Sequence, residues 1–387
     1  MTILSHKESR DIARTVEKFD VGVGMIDLIE VFGDGRINHT YKVTLRDGLK
    51  RDEYLLQSIN TFVFQDARAL MKNLVAVTEH INKNAQRSIE YIRCKQEGSD
   101  EVSYVYMSED GKAWRMYHYI DADVYQCIVH PYHAYMLGQA IADFSKSLST
   151  FDANSLVEII PDFHNTPKRF NDFLLSVTED VISGECRSKN DDETVRQIKF
   201  VLERKDKFGI LVENQKTGAL PIRVTHNDPK ISNVLVDKKT NLPICMIDLD
   251  TCMPGTILYD VGDALRSIAN TASEDEKDVT IVDFSLDIFE SFVRGFLRGM
   301  SGLLTDEEIE LIPYSVWVLA MELGMRFLKD HIDGNKYFKT QYDGQNLERS
   351  KIQFRLAEVI EEKINSDVLS GIVQNIVDEM QRSRKSI

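Results

Sequence analysis

The stretch that decides the fold is Val224–Asp237, V-T-H-N-D-P-K-I-S-N-V-L-V-D, with Ile247–Gly255, I-D-L-D-T-C-M-P-G, close behind it. His226, Asp228 and Asn233 stand in the arrangement H-x-D-x-x-x-x-N, and Asp248 ends a short apolar run. Ile222–Thr225, Val234–Val236 and Ile244–Ile247 read as short strands. The turn-like stretch Asp237–Pro243 joins the last two. A hairpin of that kind returns Asp248 to the side of Asn233. An amide oxygen beside a carboxylate, completed by phosphate oxygens and water, suits Mg²⁺, which wants hard oxygen ligands. Asp228, on the loop before the hairpin, can accept a proton from an attacking hydroxyl. His226 is read as a residue that holds the loop backbone. Taken one by one, the same residues could be a turn former, a strand end and a helix cap; the full set in order carries the signal.

The sequence before this stretch is β-rich. Leu28–Phe32, Thr40–Leu45 and Tyr54–Ile59 read as strands separated by Gly33-Asp34-Gly35 and Arg46-Asp47-Gly48. A helix is expected from Asp66 to Asn82, with Leu70, Leu74, Val77 and Ile81 on one face. Val102–Met107 and Ala113–Tyr119 read as two more strands. From Asp123 onward the pattern turns helical, over Tyr132–Ser149, Asp192–Asp206 and most of the chain beyond Asp278. Thr305 with Glu308 forms a capping box, and Pro313 is expected to break that segment. The expected architecture is α+β and bilobal: residues 1–123 form a small β-rich lobe with one main helix, and residues 124–387 a larger helical lobe. The hinge should fall near Tyr119–Val124.

Composition narrows the function classes. The 387 residues carry 47 basic and 62 acidic side chains, a net charge of −15, which disfavours nucleic acid as a general partner. Five cysteines, an odd number with no C-x-x-C, argue against a disulfide framework or a zinc site. They fit a reducing cytoplasm. No secretory leader is read at Met1–Val16, and no apolar run is long enough to span a membrane. No protein partner is indicated.

The stretch around Asp228 resembles the Brenner motif of the aminoglycoside phosphotransferase and choline kinase superfamily, whose fold is protein-kinase-like. Six segments are similar to the N-acetylhexosamine 1-kinases: G-D-G-R-I-N-H-T-Y at Gly33–Tyr41, Y-L-L-Q-S-I-N at Tyr54–Asn60, T-H-N-D-P-K at Thr225–Lys230, I-D-L-D-T at Ile247–Thr251, G-M-R-F-L-K-D at Gly324–Asp330 and G-N-K-Y-F-K at Gly334–Lys339. The similarity runs from about Asp20 to Asp378. It implies an ATP- and Mg²⁺-dependent kinase that phosphorylates the anomeric hydroxyl of GlcNAc or GalNAc.

By this resemblance Asp228 is the catalytic base and also holds the sugar's anomeric hydroxyl, and Asn233 and Asp248 are the Mg²⁺ ligands. Arg326 and Tyr337 match sugar-contacting positions. Asp250 is a lesser candidate for the metal shell, while Asp260 and Asp263 read as structural. Gly33 and Gly35 would let backbone N–H groups approach the nucleotide phosphates, although the same turn could simply close a hairpin.

Two positions depart from pattern. Arg36 stands where the family has a substrate-contacting His, which opens the sugar preference. Gln57 stands on the third strand, at a nucleotide-binding position where a phosphate-binding Lys is expected of protein kinases; the resembled family shares the Gln. Without the resemblance, Glu322, Arg326 and Asp330 would read as an exposed ion-pair ladder. His164 is a further candidate near the substrate. A kinase of another small alcohol, of aminoglycoside or choline type, is the alternative function.

Overall fold

A computed structural model describes residues 4–33, 37–84, 87–95, 102–128 and 130–385. It opens on α1 (His6–Val16), which the sequence reading did not anticipate. A capping box between Ser5 and Glu8 starts this helix. A five-stranded antiparallel sheet follows, built from β1 (Met25–Val31), β2 (His39–Asp47), β3 (Lys50–Ile59), β4 (Tyr106–Met107) and β5 (Ala113–His118) in the order β1-β2-β3-β5-β4. The helix α2 (Ala67–Lys83) is inserted after β3, capped by Asp66, whose carboxylate accepts from the N–H groups of Arg68 and Ala69. The strand expected at Val102–Met107 shrinks to two residues, because Ser103 pairs with Cys94 instead.

Alternation along the strands gives the sheet two different faces. Val43, Leu45, Tyr54, Leu56, Trp114 and Met116 pack under α1 with Ile12 and Val16 in a small core of their own. Cross-strand partners Thr40, Gln57 and Arg115 lie in a row on the other face. That face looks toward the second lobe.

The second lobe begins with α3 (Pro131–Ser147), α4 (Thr166–Ser183), α5 (Arg187–Asn190), α6 (Asp192–Leu202) and α7 (Ile210–Thr217). Two small antiparallel pairs come next: β6 (Arg223–Thr225) with β9 (Met253–Gly255), and β7 (Val234–Val236) with β8 (Pro243–Met246). The chain ends in α8 (Ile257–Ile268), α9 (Leu286–Gly299), α10 (Asp306–Glu310), α11 (Ile312–Ile332), α12 (Gln345–Asn365) and α13 (Val368–Lys385). The helix α11 is buried on nearly every side and forms the axis of the lobe. At Gly324 a Cβ would meet the Phe354 ring at 2.5 Å, so only glycine lets α12 lie this close. The capping box at Thr305 and Glu308 is present. Pro313 opens α11 in its first turn, where its missing N–H costs nothing, so it starts one helix after another has ended. Among the described residues no helix is long and apolar enough to cross a membrane. The architecture is the expected α+β, bilobal one.

Candidate active site

The hairpin forms as the spacing predicts. Val234 faces Met246 and Leu235 faces Cys245, and the N–H of Ile247 donates to the Asn233 carbonyl at 2.8 Å. Asn233 and Asp248 are thereby neighbours. The loop before the hairpin is sewn down from several sides. The Asp260 carboxylate accepts from the N–H groups of His226 and Asn227 at 2.8 and 2.7 Å. The His226 ring bonds the Ile247 carbonyl through Nε2 at 2.9 Å, and Asn227 Nδ2 donates to the Thr251 carbonyl at 2.8 Å. His226 and Asp260 are therefore structural, as read. Asn227 and Asp248 both sit at positive φ, 64° and 60°, conformations the surrounding bonds must hold in place.

Asp228 projects from this fixed loop. Its carboxylate lies 2.7 Å from the Lys230 ammonium. Burial would lower Lys230; the Asp228 charge more than offsets that and raises it, so the ammonium stays protonated. Lys230 had no assigned role in the sequence reading. Its only signal there was a lysine two residues after the candidate base.

The donor set fits Mg²⁺. Asn233 Nδ2 donates to the Asp228 carbonyl at 2.9 Å, which leaves its Oδ1 as a free acceptor among the described residues. Asp248 keeps an edge open to the cleft. The protein packed round it, and then the Asp250 and Asp228 charges, push its carboxyl up. Among the described residues no group of three His, Cys, Asp or Glu side chains could hold an ion by itself. An amide oxygen and one carboxylate, with phosphate oxygens and water to complete the shell, is the arrangement Mg²⁺ accepts.

Asp250 belongs elsewhere. Arg115 donates to both of its oxygens, through Nη1 to Oδ1 and through Nη2 to Oδ2 at 2.9 Å. Asn38 Nδ2 adds a third bond at 2.7 Å. With three nitrogen donors on its oxygens, Asp250 serves to tie the lobes together, a role that the sequence reading, which offered it as a lesser metal-shell candidate, did not include. Gln57 is engaged at both ends: its Oε1 accepts from Arg115 Nε at 2.9 Å and its Nε2 donates to Thr40 Oγ1 at 2.8 Å. Gly33 is described, with φ of 70°. Gly35 and Arg36 lie outside the described residues.

The helix α11 carries Arg326. Its guanidinium centre lies 5.9, 5.9 and 5.6 Å from the rings of Phe163, Tyr337 and Phe338. Among the described residues it has no carboxylate partner. Glu322 and Asp330 are buried and not its ladder partners. Glu322 bonds His164 Nδ1 at 2.8 Å and Thr166 Oγ1 at 2.7 Å. Asp330 accepts from the N–H groups of Tyr337 and Phe338 at 2.7 and 2.9 Å and so fixes that loop. Tyr337 is 71 % exposed, which makes its ring available to a ligand. Arg169, which the sequence reading passed over, donates to the Phe163 carbonyl at 2.9 Å; burial and then the Arg326 charge lower it.

Asp263 pairs with Arg266. Burial would raise it, but Arg266, and with it His164 and Lys230, hold it low.

A two-lobed fold with an H-x-D-x-x-x-x-N loop, a hairpin and a following carboxylate defines a kinase-like phosphotransferase. The family model described as "Phosphotransferase enzyme family" matches residues 28–295, more than half of the chain, and the chain belongs to that family. Solved structures share the fold at low identity. An aminoglycoside phosphotransferase from Alicyclobacillus acidocaldarius superposes with a TM-score of 0.61 at 12% identity, covering 98% of both chains. The Plasmodium vivax ethanolamine kinase gives 0.56 at 15%, covering 92% of this chain and 86% of its own. Choline kinase from Cryptosporidium parvum gives 0.54 at 14%, covering 94% and 97%.

Proposed function

We propose that this phosphotransferase transfers the γ-phosphoryl group of ATP, with Mg²⁺, to the anomeric hydroxyl of an N-acetylhexosamine. The observation that favours a sugar over a cationic alcohol is the state of the charges around Arg326. Choline and aminoglycosides want open carboxylates. Here Glu322 and Asp330 are spent on His164, Thr166 and the 337–338 backbone. What faces the acceptor is a guanidinium with no hydrogen-bond acceptor among the described residues and an exposed Tyr337 ring, a surface suited to hydroxyl and amide oxygens and to the apolar face of a sugar.

In this reading Asp228 orients the acceptor hydroxyl and takes its proton. Lys230, paired to it, places positive charge near the transferring group. Asn233 and Asp248 would hold Mg²⁺, which neutralises phosphate charge and orients the nucleotide. Arg326 and Tyr337 bind the sugar, and Arg36 joins them. Gly33 and Gly35 admit the phosphates to the backbone, with Gln57 behind them. A hemiacetal hydroxyl is more acidic than an ordinary alcohol, so the loose transition state needs only late deprotonation by a held carboxylate. We place the lobe boundary at 123/124. Asp123 and Val236 exchange two backbone bonds of 2.9 Å there, which ties the strap to the hairpin. The five thiols are free, in keeping with a cytoplasmic setting.

An ADP-release screen over N-acetylhexosamines, other sugars, amino alcohols and aminoglycosides tests the proposal. The expected product has lost its reducing end, and its phosphorus signal couples to the anomeric proton. Turnover of choline or an aminoglycoside without sugar turnover, or phosphate on a primary hydroxyl, overturns it.

A further inference from the structure

The row Thr40, Gln57 and Arg115 crosses three strands of the sheet, and Arg115 leaves the sheet to meet Asp250 in the other lobe. Arg115 and Asp250 are both 3% exposed. Burying an ion pair costs desolvation on both sides, and only good geometry with further hydrogen bonds offsets it. The geometry here is a two-pronged fork, with Gln57 holding the guanidinium through Nε. Asn38 adds the third arm. Its Nδ2 donates to Asp250 and its Oδ1 accepts from the Asn60 N–H at 3.0 Å. Asn38 lies just before β2, and Asp250 lies two residues beyond Asp248. A sliding of the sheet against the hairpin must therefore break this network or carry the Asp248 loop with it.

We propose that Arg115 is a positioning residue of the phosphotransferase site: through Asp250 and Asn38 it fixes the Asp248 loop against the start of β2. The buried cation of this network thus stands on β5. On β3 the matching position is Gln57, which serves to aim it. Arg115 itself has no access to a ligand, so its effect is on geometry. The proposal rests on the reading of the cleft as a Mg²⁺-nucleotide site, and no acceptor needs to be known to test it.

Calorimetric titration of Mg²⁺-ADP, and of ADP with chelator, into the parent, Arg115→Lys and Asn38→Ala is the test. Lysine keeps the charge but cannot span two carboxylate oxygens and Gln57 together. The expected result is a Kd for Mg²⁺-ADP raised about tenfold in Arg115→Lys, the scale of one charge-assisted hydrogen bond, and by less in Asn38→Ala. Metal-free ADP binding should change little. A merely structural role would lower the melting temperature and leave the affinity of the folded protein alone. Parent-like affinity and Mg²⁺ dependence in both variants overturns the proposal while the kinase reading stands. If Arg115→Lys does not fold, Asn38→Ala decides by the same criterion. A parent protein that binds no Mg²⁺-ADP removes the kinase reading and this inference with it.

Discussion

Arg115, walled in between the lobes, and Arg326, left open on α11, are two arginines treated in opposite ways. Arg115 is sealed between the lobes, with a bidentate carboxylate and an aiming Gln57. Arg326 is half-buried among three aromatic rings and has no carboxylate among the described residues. The carboxylates follow suit. Asp250 and Glu322 are satisfied by protein donors, while Asp248 and the Asn233 amide oxygen keep capacity in reserve. Satisfied polar groups build the frame, because an unpartnered buried one is costly. The groups without a protein partner among the described residues are those that the proposed function assigns to ligands.

The comparison can be broken at four points. The largest effect is expected at the base: Asp228→Asn should lose about 10²–10⁴ in turnover, the range for a positioned general base, with little change in melting temperature. Parent-rate turnover would remove Asp228 from the chemistry. Next comes the sealed wall. Asp250→Ala strands the Arg115 charge and should cost about 3–5 kcal/mol of stability, read from urea unfolding. A loss below about 1 kcal/mol, the level of an exposed pair, would mean that water reaches the site. On the open wall, Arg326→Ala should raise the sugar KM by about 10- to 100-fold through lost charged hydrogen bonds, with the ATP KM unmoved. The reverse pattern would transfer Arg326 to the nucleotide side.

The smallest effect is a pH dependence. Burial would raise the Glu322 carboxyl, but the His164 charge and the bonds from His164 and Thr166 hold it below its ordinary 4.5. A depressed carboxyl stabilises the fold above its unfolded pKa, and that contribution fades as pH falls below about 4.5. Glu322→Gln should therefore be less stable than the parent by about 1–3 kcal/mol at pH 7. The gap in melting temperature should close as pH drops through 4.5 and below. A gap that stays constant from pH 7 to pH 3.5 would show that the Glu322 charge contributes nothing.

Local rules made the hairpin legible. Two apolar runs with a turn between them have few ways to pair, so Asn233 and Asp248 could be set side by side from spacing alone, and the structure agrees. The same holds for the capping box at Thr305 and Glu308. Arg115 was not legible. It sits in Ala113–His118, where alternation says only that it faces away from Trp114 and Met116. Its partner lies 135 residues away, and no periodicity reports such a distance. Glu322, Arg326 and Asp330 misled for a related reason. Their spacing describes a helix face, and whether that face meets water or another helix depends on α4 and α12, which pack from elsewhere in the chain.

The sequence by itself determined the two-lobed α+β arrangement, the juxtaposition of Asn233 and Asp248, and the phosphotransferase family, since each rests on contacts between near neighbours or on a motif held within one stretch of chain. Tertiary structure alone decided which charges are spent and which are free. Desolvation and partner geometry set that balance, and both arise only when distant segments such as Arg115 and Asp250, or His164 and Glu322, are brought together.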